Sequence, residues 1–315
     1  MAELKLSVCM VTYNHEPYIA QAVESALAQQ TEFPFEIVIG DDCSTDRTRA
    51  ILSDFARRAP DIIRLRLAER NQGARTNFLG TLNACCGKYV AMLEGDDYWT
   101  SPQKLQKQVD ALEARPDWAI CFHSAEISYE DGLSGPKYLP DDWQRPEATL
   151  VDLLRENFIS TNSVVFRHRL FPQFPDWYFK LTLGDWPLHL LNAAHGNIGY
   201  LPEVMSVYRV HSRGLWSNMS LAERLDDIFA MYSAIDCHFH GRYAEEIDRQ
   251  RRKTVRWLAN KVPSHVQQKS APHRIVREFV RPIRQLWARI QRLGPRAEQA
   301  PSMSSKSPTN RSQAA

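Results

Sequence analysis

"KYVAMLEGDDYW", residues 88–99, is apolar and β-prone up to Leu93 and then sets three carboxylates, Glu94, Asp96 and Asp97, around one glycine. An unbroken apolar run of this kind belongs to a strand buried on both faces, as in a parallel sheet. Carboxylates this close repel one another unless a cation or water lies among them. Two readings fit. One is a solvated acidic turn ahead of the helix that Pro102 opens. The other is a set of hard oxygen ligands for Mg²⁺ or Mn²⁺, ions that keep company with phosphates. The aromatic pair Tyr98-Trp99 beside the acids favours the second.

The same alternation extends outward from this stretch. Leu6–Val11 reads as a strand, and Tyr18–Ala28 as a helix with Ile19, Ala22, Val23, Ala26 and Leu27 on one stripe. Strands over 35–39 and 62–67, helices over 48–56 and 78–85, and a helix over 104–113 complete a βαβα pattern, that of a parallel sheet with helices on both faces. Beyond it, 118–127, 163–166 and 204–210 read as extended, and 149–155 and 185–194 as helical. The stretch 128–145, rich in Gly, Pro and Asp, reads as a surface loop. The expectation is an α/β sheet over 1–215, a helical basic extension over 216–297 and an unstructured Ser/Pro/Gln tail over 298–315.

Composition narrows the function. The chain of 315 residues carries a net charge of +2, with Arg and Lys crowding the last third, which argues against a nucleic-acid surface on the sheet half. Six cysteines show no C-x-x-C pair and read as small buried hydrophobes in a reducing compartment. The start of the chain offers no basic region followed by an apolar signal stretch, and no apolar run approaches a membrane span. The sequon at Asn218 is therefore read as chance.

Each early strand ends in polar residues, where ligands gather in open parallel sheets. Val11 leads into Thr12-Tyr13-Asn14, Ile39 into Gly40-Asp41-Asp42, and Leu93 into the acidic turn. Ser44 or Asp46 suits a cap for the helix after Thr48. A calcium loop at 42–46 is excluded, because Arg47 stands where its glycine should be. Asp41 follows an apolar strand directly and is read as a hydrogen-bond partner for a ligand.

Four blocks in order, "SVCMVTYNHEPYIAQAVESALAQ", "FEIVIGDDCSTDRT", "GKYVAMLEGDDYW" and "LGDWPLHLL", make the chain from about Leu6 to His211 similar to the family 2 glycosyltransferases, inverting enzymes of the GT-A fold. The resemblance implies a nucleotide-sugar donor, with a preference for UDP, and a saccharide or lipid-linked acceptor. It implies nucleotide-pocket roles for Thr12, Tyr13, Asn14, Glu16, Asp41, Asp42, Asn71 and Arg75. It places Asp96 at the last position of the metal motif, with Glu94 where the family has Asp, and Asp97 alongside. It makes Asp185 the general base, a role compatible with a place at the start of the helix that Pro187 favours, and it offers His211 as a metal or diphosphate ligand, with Arg209 and Arg213 near phosphate.

Downstream, 273–293 alternates Ile, Val, Phe, Leu and Trp with arginines at helical spacing, a pattern that suits an anionic membrane surface and equally a helix docked on protein. The expected setting is the cytoplasm, at the inner face of the cytoplasmic membrane. Two rivals stay open. A sugar nucleotidyltransferase would show a Gly-rich phosphate loop where Thr12-Tyr13-Asn14-His15 stands. A catalytically silent nucleotide-binding module would have little need for Asp96 and Asp185 together.

Overall fold

The computed structural model describes residues 3–261 apart from 131, 142 and 144. The basic helix expected over 273–293 and the tail over 298–315 lie outside the described residues. One compact unit comprises residues 1–251; of a second, 252–315, only the final turns of a helix are described.

The chain runs β1 (Leu6–Thr12), α1 (Ile19–Leu27), β2 (Phe35–Asp41), α2 (Thr48–Arg58), β3 (Ile63–Leu67), α3 (Ala74–Ala84), β4 (Tyr89–Glu94), the short β5 (Tyr98–Trp99) and α4 (Lys104–Ala114). Then follow β6 (Trp118–Tyr129), β7 (Tyr138–Leu139), β8 (Glu147–Ala148), α5 (Leu150–Arg155), β9 (Val165–Arg167), α6 (Asp185–Ala193), β10 (Asn197–Val210), α7 (Leu215–Asn218), α8 (Leu221–His238) and α9 (Ala244–Lys261). The strands form a single sheet in the order β3-β2-β1-β4-β9-β6-β10-β5, with β7 on β6 and β8 on β10. The pairs β1·β2, β1·β4, β2·β3 and β6·β10 are parallel, and β9 runs antiparallel to both its neighbours.

The apolar runs divide between the two faces of the sheet. Val8, Met10, Ile37, Ile39, Ala91 and Leu93 pack beneath α1, α2 and α4, while Cys9, Val38, Val90 and Met92 join the opposite core with α3, α5 and α6. Met231, Tyr232 and Ile235 of α8 and Ile247 of α9 belong to that second core, so the compact unit includes helices that the sequence pattern assigns to the extension.

Two elements differ from the sequence expectation for local reasons. Helix α3 starts at Ala74, four residues before the expected 78, because Gly73 (φ 86°) adopts a conformation open to glycine and its amide is held by Asp42 at 2.8 Å. Strand β10 starts at Asn197 rather than 204, because register shifts on either side of Val204 let the strand carry Pro202 without losing its pairing to β6.

Candidate active site

The order of β1 between β2 and β4 creates a switch point, and the carboxyl ends of β1 and β4 open into one cleft beside the end of β2. The wall at β1 and β2 is built from side chains that fasten loops to each other. Asn14, left-handed at φ 54°, accepts the Thr45 amide on its side-chain oxygen at 2.8 Å, and its own amide donates to Ser44 Oγ at 2.9 Å. Glu16 accepts the Arg47 amide at 3.0 Å, and Asp46 takes the amides of Glu16 and Thr48 at 3.0 and 2.9 Å. The cap position of α2 is Arg47, so neither Ser44 nor Asp46 is the expected cap, although Asp46 accepts the first amide of the helix.

Asp41 is fully buried and already engaged, by Arg49 Nε at 2.9 Å and by the Ser44 amide at 2.9 Å. Asp42, also buried, accepts the amides of Gln72 and Gly73 at 2.7 and 2.8 Å, and the Asn71 side chain donates to the Asp42 carbonyl at 3.1 Å. Asp42 thus fastens the 71–73 loop to the end of β2. Thr12 is buried with its hydroxyl unpartnered among the described residues, and Tyr13 stands 43% exposed.

The acidic turn closes against this wall. Gly95 donates its amide to the Val11 carbonyl at 2.9 Å, and a Cβ there would meet Thr12 Oγ1 at 2.7 Å and His15 Nδ1 at 2.9 Å. Only glycine lets the turn approach so closely. Carboxylate oxygens of Glu94, Asp96 and Asp97 lie within 4.8 Å of one another.

Their environments differ. Asp96 Oδ2 meets His211 Nε2 at 3.1 Å and His15 Nε2 at 3.7 Å. Burial opposes ionisation of Asp96, but the His211 hydrogen bond and the nearby imidazoles outweigh it and hold the carboxyl below its usual range. His211 is 2% exposed, stacks on Tyr18 with ring centres 5.2 Å apart, and accepts the Arg213 amide on Nδ1 at 3.3 Å, an arrangement that places its proton on Nε2, facing Asp96. Burial, reinforced by Asp96 and Asp185, lifts Glu94 to about 8. Asp97 is wholly buried and raised well above the carboxylate range by that burial; its Oδ1 accepts the Arg209 amide at 2.8 Å, which ties the turn to β10.

Beneath the turn, the Trp99 indole donates to the Asn162 carbonyl at 2.8 Å. Lys104, fully buried, sets its ammonium 4.2 Å from the Trp99 ring centre. Above it, the Arg209 guanidinium lies between Tyr18 and Tyr98, 5.0 and 4.6 Å from their ring centres, and donates to the Asp96 carbonyl and to Gln21.

Glu94, Asp96, Arg75 and Asp185 line one cavity of about 480 Å³, together with apolar Phe78, Met92, Trp186 and Trp216. Asp185 is the first residue of α6, one position inside the cap, and its Oδ2 has only long contacts, with Asn157 and Thr161 at 3.4 Å each. The carboxylate is therefore held loosely and faces open space. Arg75 is turned toward the backbone ahead of Asp185, donating to the Leu181 carbonyl at 2.8 Å, a reach of more than a hundred residues that spacing cannot reveal. Of the residues expected at the site, Thr12, Tyr13, Asn14, Glu16, Asp41, Asp42, Asn71, Asp97 and His211 are not part of this cavity's lining.

The profile of glycosyl transferase family 2 matches residues 7–176. An uncharacterized protein of Mycobacterium tuberculosis (strain H37Rv) is 43% identical over 211 residues, 67% of this chain and 60% of that protein, so the match spans less than two thirds of the relative's length. The Bacillus subtilis (strain 168) protein TuaG, whose name assigns it to teichuronic acid biosynthesis as a glycosyltransferase, is 31% identical over 68% of this chain and 82% of its own. Among solved structures, S. aureus TarS 1–349 in complex with UDP-GlcNAc superposes with a TM-score of 0.61 at 19% identity, over 90% of this chain and 83% of that one. The mannosyltransferase PcManGT of Pyrobaculum calidifontis, in complex with GDP-Man and Mn²⁺, gives 0.56 at 16% identity, over 94% and 88%. The sheet and its helices have the GT-A architecture, and the chain belongs to glycosyl transferase family 2.

Proposed function

We propose that the chain moves a sugar from a nucleoside diphosphate donor, a UDP-sugar, to a hydroxyl of a saccharide or lipid-linked acceptor, with inversion at the anomeric carbon, in the assembly of a bacterial surface polysaccharide. The observation that carries this reading is that Glu94, Asp96 and Asp185 line one cleft. UDP-GlcNAc in the TarS complex and the naming of TuaG support the donor class and the setting.

The donor set suits a divalent cation. Asp96 presents an ionised carboxylate and Glu94 a second oxygen ligand, a hard oxygen set fitting Mn²⁺ or Mg²⁺, while His211, with Nε2 3.1 Å from Asp96 Oδ2 and Nδ1 taken by the Arg213 amide, steadies that carboxylate rather than lending a nitrogen to the ion. A cation held there supplies Lewis-acid stabilisation of the negative charge that builds on the leaving diphosphate. Mn²⁺ accompanies GDP-Man in the Pyrobaculum complex. Asp97 holds the turn's geometry through Arg209 rather than facing the cleft.

Asp185 takes the proton of the attacking acceptor hydroxyl as general base. Its weak side-chain contacts leave an oxygen free for that proton, and the first turn of α6 stabilises its charge. Asn14, Asp41, Asp42 and Asn71 fasten the loops beside the cleft, where the nucleoside would lie, rather than lining it. Trp186, Trp216 and Phe78 keep water from the reacting carbon. The basic helix expected over 273–293 would bring the enzyme to the inner face of the cytoplasmic membrane, where a lipid-linked acceptor is presented.

A panel of UDP-, GDP- and dTDP-sugars, assayed with Mn²⁺ for nucleoside diphosphate release, tests the reading. One donor class should be turned over, with activity lost in Asp96→Ala and Asp185→Asn proteins that remain folded. Activity that survives Asp185→Asn would remove the assigned base, and no turnover of any donor would remove the enzyme reading.

A further inference from the structure

Asp227 of α8 lies beyond the residues matched by the family profile and carries no role so far. It is 9% exposed, and its two oxygens each accept one backbone amide, Thr182 at 2.8 Å and Leu183 at 2.6 Å. Arg75 grips the same stretch from its carbonyl side, donating through Nη2 to Leu181 at 2.8 Å, Thr182 at 3.3 Å and Leu183. The guanidinium lies 4.2 Å from the Tyr178 ring centre, and the Tyr178 hydroxyl donates to the Gly184 carbonyl at 2.8 Å. Every residue from 181 to 184 thus has a backbone group tied to a side chain, and the next residue is Asp185. Connecting segments more often leave such groups to water.

We propose that Asp227 is a positioning residue for the general base: it and Arg75 form a charged clamp, anion on the amides and cation on the carbonyls, that fixes the backbone delivering Asp185 to the cleft. The proposal rests on the transferase reading above. A single carboxylate matches two successive amides pointing the same way, and charge-assisted bonds of this kind are about twice as strong as neutral ones. Asp185 needs such help because its own side-chain contacts are marginal. The clamp also borders the cleft that it serves. Nε and Nη1 of Arg75 are buried and without a hydrogen-bond partner among the described residues, while the side chain lines the cleft shared with Glu94 and Asp96.

Two measurements decide the matter. In the near-isosteric Asp227→Asn variant, assayed with the nucleotide sugar that the panel above selects, kcat for transfer should fall about tenfold to hundredfold, the scale set by a misplaced catalytic group. The calorimetric affinity for the matching nucleoside diphosphate with Mn²⁺ should stay within about twofold, and Asp227→Glu, which restores the charge, should recover part of kcat. Amide hydrogen exchange on the wild-type protein reads the clamp without any substitution: Thr182 and Leu183 should exchange slowly. An Asp227→Asn variant with unaltered kcat, or fast exchange at both amides, overturns the clamp while leaving the enzyme reading intact. A wild-type protein inert toward every donor overturns the transferase reading itself, and the clamp's purpose with it.

Discussion

Lys104 offers a quantitative test of how the acidic turn is supported. Its side chain is fully buried, Nζ has no hydrogen-bond partner among the described residues, and burial brings its pKa down to about 7. In the unfolded chain a lysine titrates near 10.4. The folded state therefore binds fewer protons than the unfolded state between these values, and stability rises with pH across that window. The full span of about 3.5 units is worth about 4 to 5 kcal/mol, and the slope approaches about 1.4 kcal/mol per pH unit in its middle. Replacing Lys104 with Met keeps length and apolar contact with Trp99 but removes the titration. Urea unfolding of both proteins at pH 7, 8 and 9 isolates the lysine, because every other group cancels in the difference. Wild type should gain on Lys104→Met by about 2 kcal/mol between pH 7 and 9. A difference that stays flat within about 0.5 kcal/mol would mean that the ammonium stays charged in the fold, and the burial argument would be refuted.

Three further outcomes follow from the site. Glu94, lifted to about 8 by burial and by Asp96 and Asp185, holds a proton at pH 7 that a cation must displace, so apparent Mn²⁺ affinity should rise about tenfold per pH unit up to about pH 8 and then level; a flat calorimetric profile from pH 6 to 8 contradicts this. Asp185→Asn should lower kcat about 10²- to 10⁴-fold while leaving nucleotide affinity nearly unchanged, as read by initial rates and titration. Arg209→Ala removes a cation lodged between two tyrosine rings and should lower unfolding stability by about 2 kcal/mol, measured by urea titration.

The sheet was legible because burial on both faces writes itself as unbroken apolar runs, and Leu6–Val11 and Lys88–Leu93 are β1 and β4 almost to the residue. The ends of those strands announced the cleft for the same reason: polar residues after an apolar strand have only the sheet's edge to occupy. The antiparallel insertion of β9 between β4 and β6 was not legible, since three residues of strand carry no direction. The division of labour within Glu94-Gly95-Asp96-Asp97 was hidden too. Whether an acid faces the cleft or the Arg209 amide depends on a partner 112 positions away. Asp227 did leave a trace, because it shares an i, i+4, i+8 stripe with the buried Met231 and Ile235, an acid on an apolar helix face.

The pairing of β6 with β10, and the Asp97 bond to Arg209 that goes with it, also fixes when the site can exist. A ribosome makes about 5–20 residues per second, so seconds pass between the emergence of the acidic turn and that of the strand that holds it. Until then the three carboxylates repel one another on an unanchored turn, and β6 presents an open edge ready to pair with another chain. Low temperature or crowded synthesis lengthens that interval. Yield of soluble protein should therefore be set by how quickly residues 197–210 arrive rather than by the strength of the half from β1 to α4, which ends at Ala114.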